Sequence, residues 1–388
     1  MKSVATIKLK IPNNKILINS MKQYSKSVSY ISDQGYKNKI HNRYNLHHLS
    51  YYKARNKFKL PSQYIINAIR IASQTLKSVK TNKGSKPFYK ELMPVDFDRR
   101  TFTFFPNKIR LTTIKGRIDI PVEIPEYYNK YLSWRYQTCR LIYNKKQNKL
   151  FLHIAFSRET NFTKTKNPKF TGIDLGINNI AVTSDKKFFN SSKIKKTKIK
   201  FKYIRSRLQS KGTKSSKKLL KKISGREKRF MRQNNHEISK KIVSSVKPGD
   251  IIVMEKLKGI RRAKVRKKQR YWLNSWSFYQ LQKYIEYKAV KIGAKVIYVN
   301  PRNTSKTCSR CFSMNTTRKS SYFHCLNCSY HLNADLNASY NIKFLGRFLI
   351  TKADVNQPEP FKKSLGKNGI FSGAQDIPSV DCEAILRN

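Results

Sequence analysis

Residues 169–185 read KFTGIDLGINNIAVTSD: a strand, a bend punctuated by Gly172 and Gly176, and a second strand. Further along, DIIVMEKL (250–257) is a buried-type strand, SFYQLQKYIEYKAVKIG (277–293) an amphipathic helix, and AKVIYVNP (294–301) another strand. Strands alternating with helices predict an α/β domain. Between them, about 193–246, lies a long basic region read as helical. Its apolar residues form a broken stripe through Ile204, Leu208, Leu219, Leu220, Ile223, Phe230, Ile238 and Ile242.

Upstream the pattern differs. ATIKLKI (5–11) alternates as a half-buried strand does, and LPSQYIINAIRIASQTLKSVK (60–80) carries Ile65, Ile66, Ile69, Ile71 and Leu76 at helical spacing. From Phe97 the period returns to two in RTFTFFP, KIRLTTIKGRIDIPVEI and CRLIYNKKQNKLFLHIAFS, with turn signals at KG and KQNK. This predicts a β-barrel-like module over 1–168 with a helical insertion at about 15–90, then the α/β domain over 169–346. A poorly ordered tail is expected over 347–388.

Lys and Arg number 83 against 21 Asp and Glu, a net charge of +62. Self-repulsion on that scale calls for a polyanion, and nucleic acid is the commonest. A membrane role is not expected: no apolar run approaches the roughly 18 residues of a spanning helix, and MKSVATIKLKIPNN lacks a signal core. A cytoplasmic, nucleoid-associated protein is expected. The 22 Tyr and 21 Phe scattered among the lysines suit stacking on unpaired bases, although most are expected in the core.

Acids are scarce, so those at the ends of apolar strands need a reason. Asp174 follows GI, Glu255 ends IIVME, and Asp335 sits in NADLNASYNI. An unpaired carboxylate in such surroundings is expensive, and a divalent cation removes that expense. Three or four acidic oxygens holding two Mg²⁺ about 3.5 to 4 Å apart would cleave a phosphodiester, one ion activating water and the other stabilising the leaving oxygen. Alternatively, each acid pairs with one of the many Lys or Arg. Gly172 and Gly176 would let a nucleic-acid backbone approach, and the small Ala334 and Ala338 would let a helix lie against the sheet.

Cys308, Cys311, Cys325 and Cys328 form two CxxC pairs thirteen residues apart. Four thiolates at this spacing close one tetrahedral, structural Zn²⁺ site with no open position. A redox role for either pair is the weaker alternative. His324 and His331 flank the pairs and could substitute as ligands.

Together GIDLGINNIAVTSD, IIVMEKLKGI, TSKTCSRC with CLNC, and NADLNASYNI resemble the TnpB family, the RNA-guided nucleases of insertion sequences related to type V CRISPR effectors. They match, in order, the first, second, zinc and third segments of that family's RuvC-like nuclease, from 169 to about 345. LPSQYIINAIR and DFDRRTFTFFPNKIRLTT resemble its recognition helices and wedge barrel. The resemblance implies an RNase H-like (RuvC) α/β domain with a zinc knuckle inserted at about 303–332, just before the last catalytic helix, and Asp174, Glu255 and Asp335 as catalytic metal ligands. Arg318 stands where relatives carry an Arg near the scissile phosphate; a solvated surface Arg is the bland alternative. Phe312 and Ser329 depart from the Gly that members often carry after each Cys pair, and Asn333 stands where some have Asp.

The function so implied is an RNA-guided, Mg²⁺-dependent DNA endonuclease of a prokaryote. It would act as a monomer on a guide RNA from a transposon end and cut double-stranded DNA beside a short flanking motif. Gln63 and Asn67 are candidates for reading that motif, and Arg261, Arg262, Arg266 and Lys267 for lining the channel. Other readings are a protein-only transposase or resolvase, a guide-dependent repressor that has lost cleavage, and a general RNA-binding zinc protein.

Overall fold

The structure is a computed structural model that describes residues 2–145, 147–163, 165–257 and 267–354. The chain divides into two units, Lys2–Glu159 and Thr160 onward.

In the first unit β1 (Lys2–Ile11) leads into three helices, α1 (Lys15–Lys37), α2 (Arg43–Phe58) and α3 (Ser62–Asn82). Then follow β2 (Val95–Phe97), β3 (Phe102–Phe104), β4 (Lys108–Thr113), β5 (Gly116–Pro121), the single-turn α4 (Asn129–Leu132), β6 (Arg135–Asn144) and β7 (Lys149–Glu159). The strands expected as a barrel-like module form two antiparallel sheets, ordered β1-β7-β6-β2 and β3-β4-β5. α1 starts where Asn14 Oδ1 accepts from the amides of Ile16 at 2.8 Å and Leu17 at 3.2 Å, satisfying donors that the first turn leaves open. The alternation of β1 turns Ile7, Leu9 and Ile11 inward, against a core that includes Leu17, Met21 and Val28 of α1. Of the helical repeat on α3, Ile65, Ile69 and Leu76 are buried, while Ile66 and Ile71 lie at its edge.

The second unit runs β8 (Phe170–Asp174), β9 (Asn179–Thr183), β10 (Phe188–Asn190), α5 (Ser192–Lys211), α6 (Lys214–Ile223), α7 (Arg226–Val243), β11 (Ile251–Glu255), α8 (Lys267–Ser275), α9 (Phe278–Lys291) and β12 (Lys295–Val299). A small antiparallel sheet, β13 (Thr316–Lys319), β14 (Tyr322–Cys325) and β15 (His331–Asn333), precedes α10 (Ala334–Asp354). The main sheet is ordered β10-β9-β8-β11-β12, antiparallel through its first three strands and parallel from β8 to β12.

β8 and β11 each show four buried residues and then a partly exposed acid, the pattern of central strands covered on both faces. On one face Ile173, Ile252 and Met254 pack with Ile238 and Ile242 of α7 and with Leu281 and Ile285 of α9. On the other, Phe170, Ile251, Val253 and Val299 pack with Ile342 of α10. The apolar stripe expected along the basic helices is buried chiefly on α7; Leu219 of α6 is 43% exposed.

Gly172 has a different role from the one its position suggested. A Cβ there would lie 2.1 Å from the Ser339 carbonyl oxygen, so the missing side chain lets α10 sit directly on β8. Gly346 does the same over Val253, where a Cβ would come within 2.3 Å of a methyl carbon. α10 also continues to Asp354, so the expected tail begins as helix; residues 355–388 lie outside the described residues.

Candidate active site and metal centre

Asp174 closes β8 and Glu255 closes β11. These strands are parallel neighbours with Ile173 opposite Met254, so both acids leave the sheet together at its carboxyl edge, where α/β folds gather ligands. Asp335 arrives at the same edge as the second residue of α10. Burial, and then the charges of Glu255 and Asp335, push the Asp174 carboxyl up to about 8, while Arg318 opposes. Burial also raises Glu255, against a hydrogen bond that the Thr304 hydroxyl donates to its Oε1. Asp335 is buried and engaged on both oxygens: Oδ1 accepts from Arg318 Nη2 at 3.0 Å and Oδ2 from Asn179 Nδ2 at 2.9 Å. No lysine pairs with any of the three acids among the described residues.

The start of α10 is built to hold Asp335 there. Asn333 Oδ1 accepts from the amides of Asp335 at 3.0 Å and Leu336 at 3.2 Å, a helix cap that Asn forms as well as Asp. One turn on, the Asn337 carboxamide donates to Thr307 O at 2.8 Å and accepts from Ser309 N at 2.9 Å. A turn further, Asn341 donates to Thr304 O at 2.8 Å and to Thr307 O at 2.7 Å. The helix that carries the acid therefore also grips the segment entering the cysteine-rich ribbon.

In that ribbon Cys308 and Cys328 Sγ are 3.8 Å apart, and Cys311 and Cys325 Sγ 3.5 Å. Thiolates about 2.3 Å from a tetrahedral Zn²⁺ stand about 3.8 Å from one another, so the group fits zinc. Among the described residues these four sulfurs are the one group of three or more such ligands lying within 4.8 Å of one another, and neither His324 nor His331 belongs to it. The carboxylates are not so tightly closed, yet their all-oxygen donor set and the raised Asp174 suit a hard divalent cation. Phe312 and Ser329 hold φ of +58° and +54°, the left-handed backbone that glycine adopts freely, and all four thiolates still converge. The Phe312 ring rests on Phe344, centroids 4.6 Å apart.

Gln63 and Asn67 line a cavity of about 520 Å³ in the first unit, with Arg43, Arg70, Asp96 and Arg140. Both amides are already donating, Gln63 Nε2 to Asp98 Oδ2 at 2.6 Å and Asn67 Nδ2 to Asp96 O at 3.0 Å. Asn67 is buried and pins α3 to β2. Arg261, Arg262 and Arg266 lie outside the described residues, as does the side chain of Lys267, which opens α8. Among the basic helices Lys198 departs from a solvated role. It is 1% exposed, paired with Glu227 at 3.1 Å, and donates to Ser275 O at 2.6 Å.

Residues 153–270 match a family described as "Probable transposase", and residues 278–342 one described as "Cas12f1-like, TNB domain". A TnpB-like protein of Methanocaldococcus jannaschii is 31% identical over 62% of this chain and 91% of its own length. The chain belongs to the TnpB family. A protein of Sulfoacidibacillus thermotolerans named CRISPR-associated endodeoxyribonuclease Cas12f1 is 26% identical over 77% of this chain and 80% of its own. A solved Cas12f1–sgRNA–target DNA complex shares the fold, with a TM-score of 0.61 at 15% identity, over 88% of this chain and 99% of that one.

Within this TnpB-family chain the sequence motifs pointed to the three acids and to Arg318, but not to Asn179 and Thr304 as their partners. Asn179 lies in the same motif as Asp174 but bonds Asp335, 156 residues away, and Thr304 bonds Glu255 across 49 residues, so the sequence gives no signal of either pairing. Asn337 and Asn341 do give one: two asparagines four residues apart on a buried helix face must be hydrogen-bonded. No helix among the described residues is long and apolar enough to cross a membrane.

Proposed function

We propose that this protein is an RNA-guided DNA endonuclease that hydrolyses a phosphodiester between Asp174, Glu255 and Asp335. The observation that carries this reading is the convergence of three acids from β8, β11 and α10, close enough that the charges of two help raise the third to about 8. The order of the main sheet, with three antiparallel strands followed by two parallel to the first, is that of RNase H-like nucleases and supports the RuvC-like assignment. The relative named an endodeoxyribonuclease and the guide-bound structure of like fold support DNA as substrate and RNA as guide.

Two Mg²⁺ held by these carboxylates would activate water and stabilise the leaving oxygen. The protein's part is to hold three oxygen donors at the rim of a rigid sheet, with Thr304 fixing Glu255 and Asn179 fixing Asp335. Arg318 neutralises Asp335 and lies near Asp174, so a phosphate entering there would meet a guanidinium able to take up developing charge. Zn²⁺ on the four cysteines would hold the strand that carries Arg318. The units before and after Glu159 would serve as a wedge with recognition helices and as the nuclease. The guide would come from a transposon end, and the target would carry a short flanking motif.

The test is to isolate the protein with its RNA and supply a matched duplex and Mg²⁺. The parent cuts, and Asp174→Ala binds both nucleic acids equally well without cutting. Cleavage by that variant would refute the ligand assignment. Cutting without RNA would favour the transposase that the matched family description names.

A further inference from the structure

We infer that the outer face of α2 is a stacking platform for unpaired RNA bases. The helix, RYNLHHLSYYKARNKF, is held from one side only: Leu46, Ser50 and Ala54, spaced four apart, are its buried residues. The opposite side carries Tyr44, His48 and Tyr52 at the same spacing, and so on one axial stripe. Tyr44 and Tyr52 are each 71% exposed. The Tyr44 and His48 rings meet edge to face with centroids 4.5 Å apart, and beside them His47 stacks on Tyr51 at 4.6 Å and 17°.

Rings of this size rarely face water in a row without a partner, and the charge of the helix says which partner. It carries Arg43, Lys53, Arg55 and Lys57 and no acidic residue, in a chain of net charge +62. A protein partner would have to be unusually acidic to approach this face. A nucleic-acid strand brings phosphates for the cations and π-faces for the rings. RNA is the occupant because its loops and bulges present unstacked bases, which proteins take up on Tyr and His rings. A duplex keeps its bases stacked and offers the rings nothing. The inference does not depend on the nuclease reading, since α2 belongs to the unit that lacks the three acids.

The experiment uses the full-length protein and a labelled single-stranded oligoribonucleotide of about 12 residues, at about 0.4 M salt, where phosphate-driven binding is suppressed. Tyr44→Ala/Tyr52→Ala should weaken binding about tenfold or more, while the slope of affinity against salt is unchanged, because stacking releases no counterions. Tyr44→Phe/Tyr52→Phe keeps the rings and should bind as the parent does. Both sites are exposed, and circular dichroism and melting temperature check that each variant folds. Unchanged RNA affinity in the Ala variant overturns the proposal, as does a loss that the Phe variant shares. A loss confined to the matching oligodeoxyribonucleotide overturns the assignment to RNA.

Discussion

Asp174 combines a strand-end position with two like charges, and its proton affinity has a consequence for stability. Its folded value of about 8 exceeds the 3.8 of an ordinary Asp, so the native state holds a proton that the unfolded chain has lost. The metal-free fold is therefore unpenalised below about pH 4, loses stability as pH rises through that window, and levels off above about 8. Asp174→Asn should remove this dependence and raise the urea midpoint more at pH 8 than at pH 5, in magnesium-free buffer containing zinc. An equal gain at both values would show that the group titrates normally. Ser329 supplies a second prediction at this scale. Its φ of +54° strains an L-residue, and Ser329→Gly should stabilise the ribbon by about 1 kcal/mol, read as a higher melting temperature of the zinc-loaded protein. Phe312→Gly should gain less, because it also gives up the ring contact with Phe344.

α10 is the element on which the candidate site depends. It lies on β8 and β11 through Gly172 and Gly346, places Asp335 in its first turn, and anchors 304–309 through Asn337 and Asn341. Replacing Asn341 by Leu removes two hydrogen bonds and leaves the carbonyl of buried Thr304 without that donor, while Thr307 O keeps the Asn337 amide. That should cost about 2 to 3 kcal/mol and open the 304–309 segment to hydrogen exchange. Cleavage should fall with it, since Thr304 also holds Glu255. Unaltered exchange across 304–309 would mean that the ribbon is held by zinc alone. How much of this was legible in sequence follows from range. Strand ends and the Cys spacing are local and could be read directly, whereas the contact between Asn341 and Thr304 spans 37 residues and appears only when the helix lies on the sheet.

At the scale of the whole molecule, each unit has its own apolar core, one built around β1, β7 and α1, the others around β8 and β11. Stripping Zn²⁺, or Cys325→Ser, should therefore expose residues 303–333 to protease and impair cutting, while amide protection in β1 and β7 stays as it was. Loss of protection in both units together would contradict separate cores. The charge of +62 belongs to the chain as a whole and sets a further expectation. Affinity for duplex should fall with salt, log K dropping by about 0.9 per phosphate contacted for each decade. A flat salt response would leave the excess of lysine without a use. Lys198, buried against Glu227 and Ser275, shows that not every cation in the basic helices is available for phosphate.

The one-dimensional order of residues determined the strand ends at Asp174 and Glu255, the two Cys pairs and the excess of cations, because each is a local pattern or a sum. Folding alone decided that Gly172 makes room for a helix, that Asn67 pins α3 to β2, and that Arg318 from the ribbon meets Asp335. Such contacts join residues distant along the chain, and their chemistry exists only once packing has excluded water and brought them together.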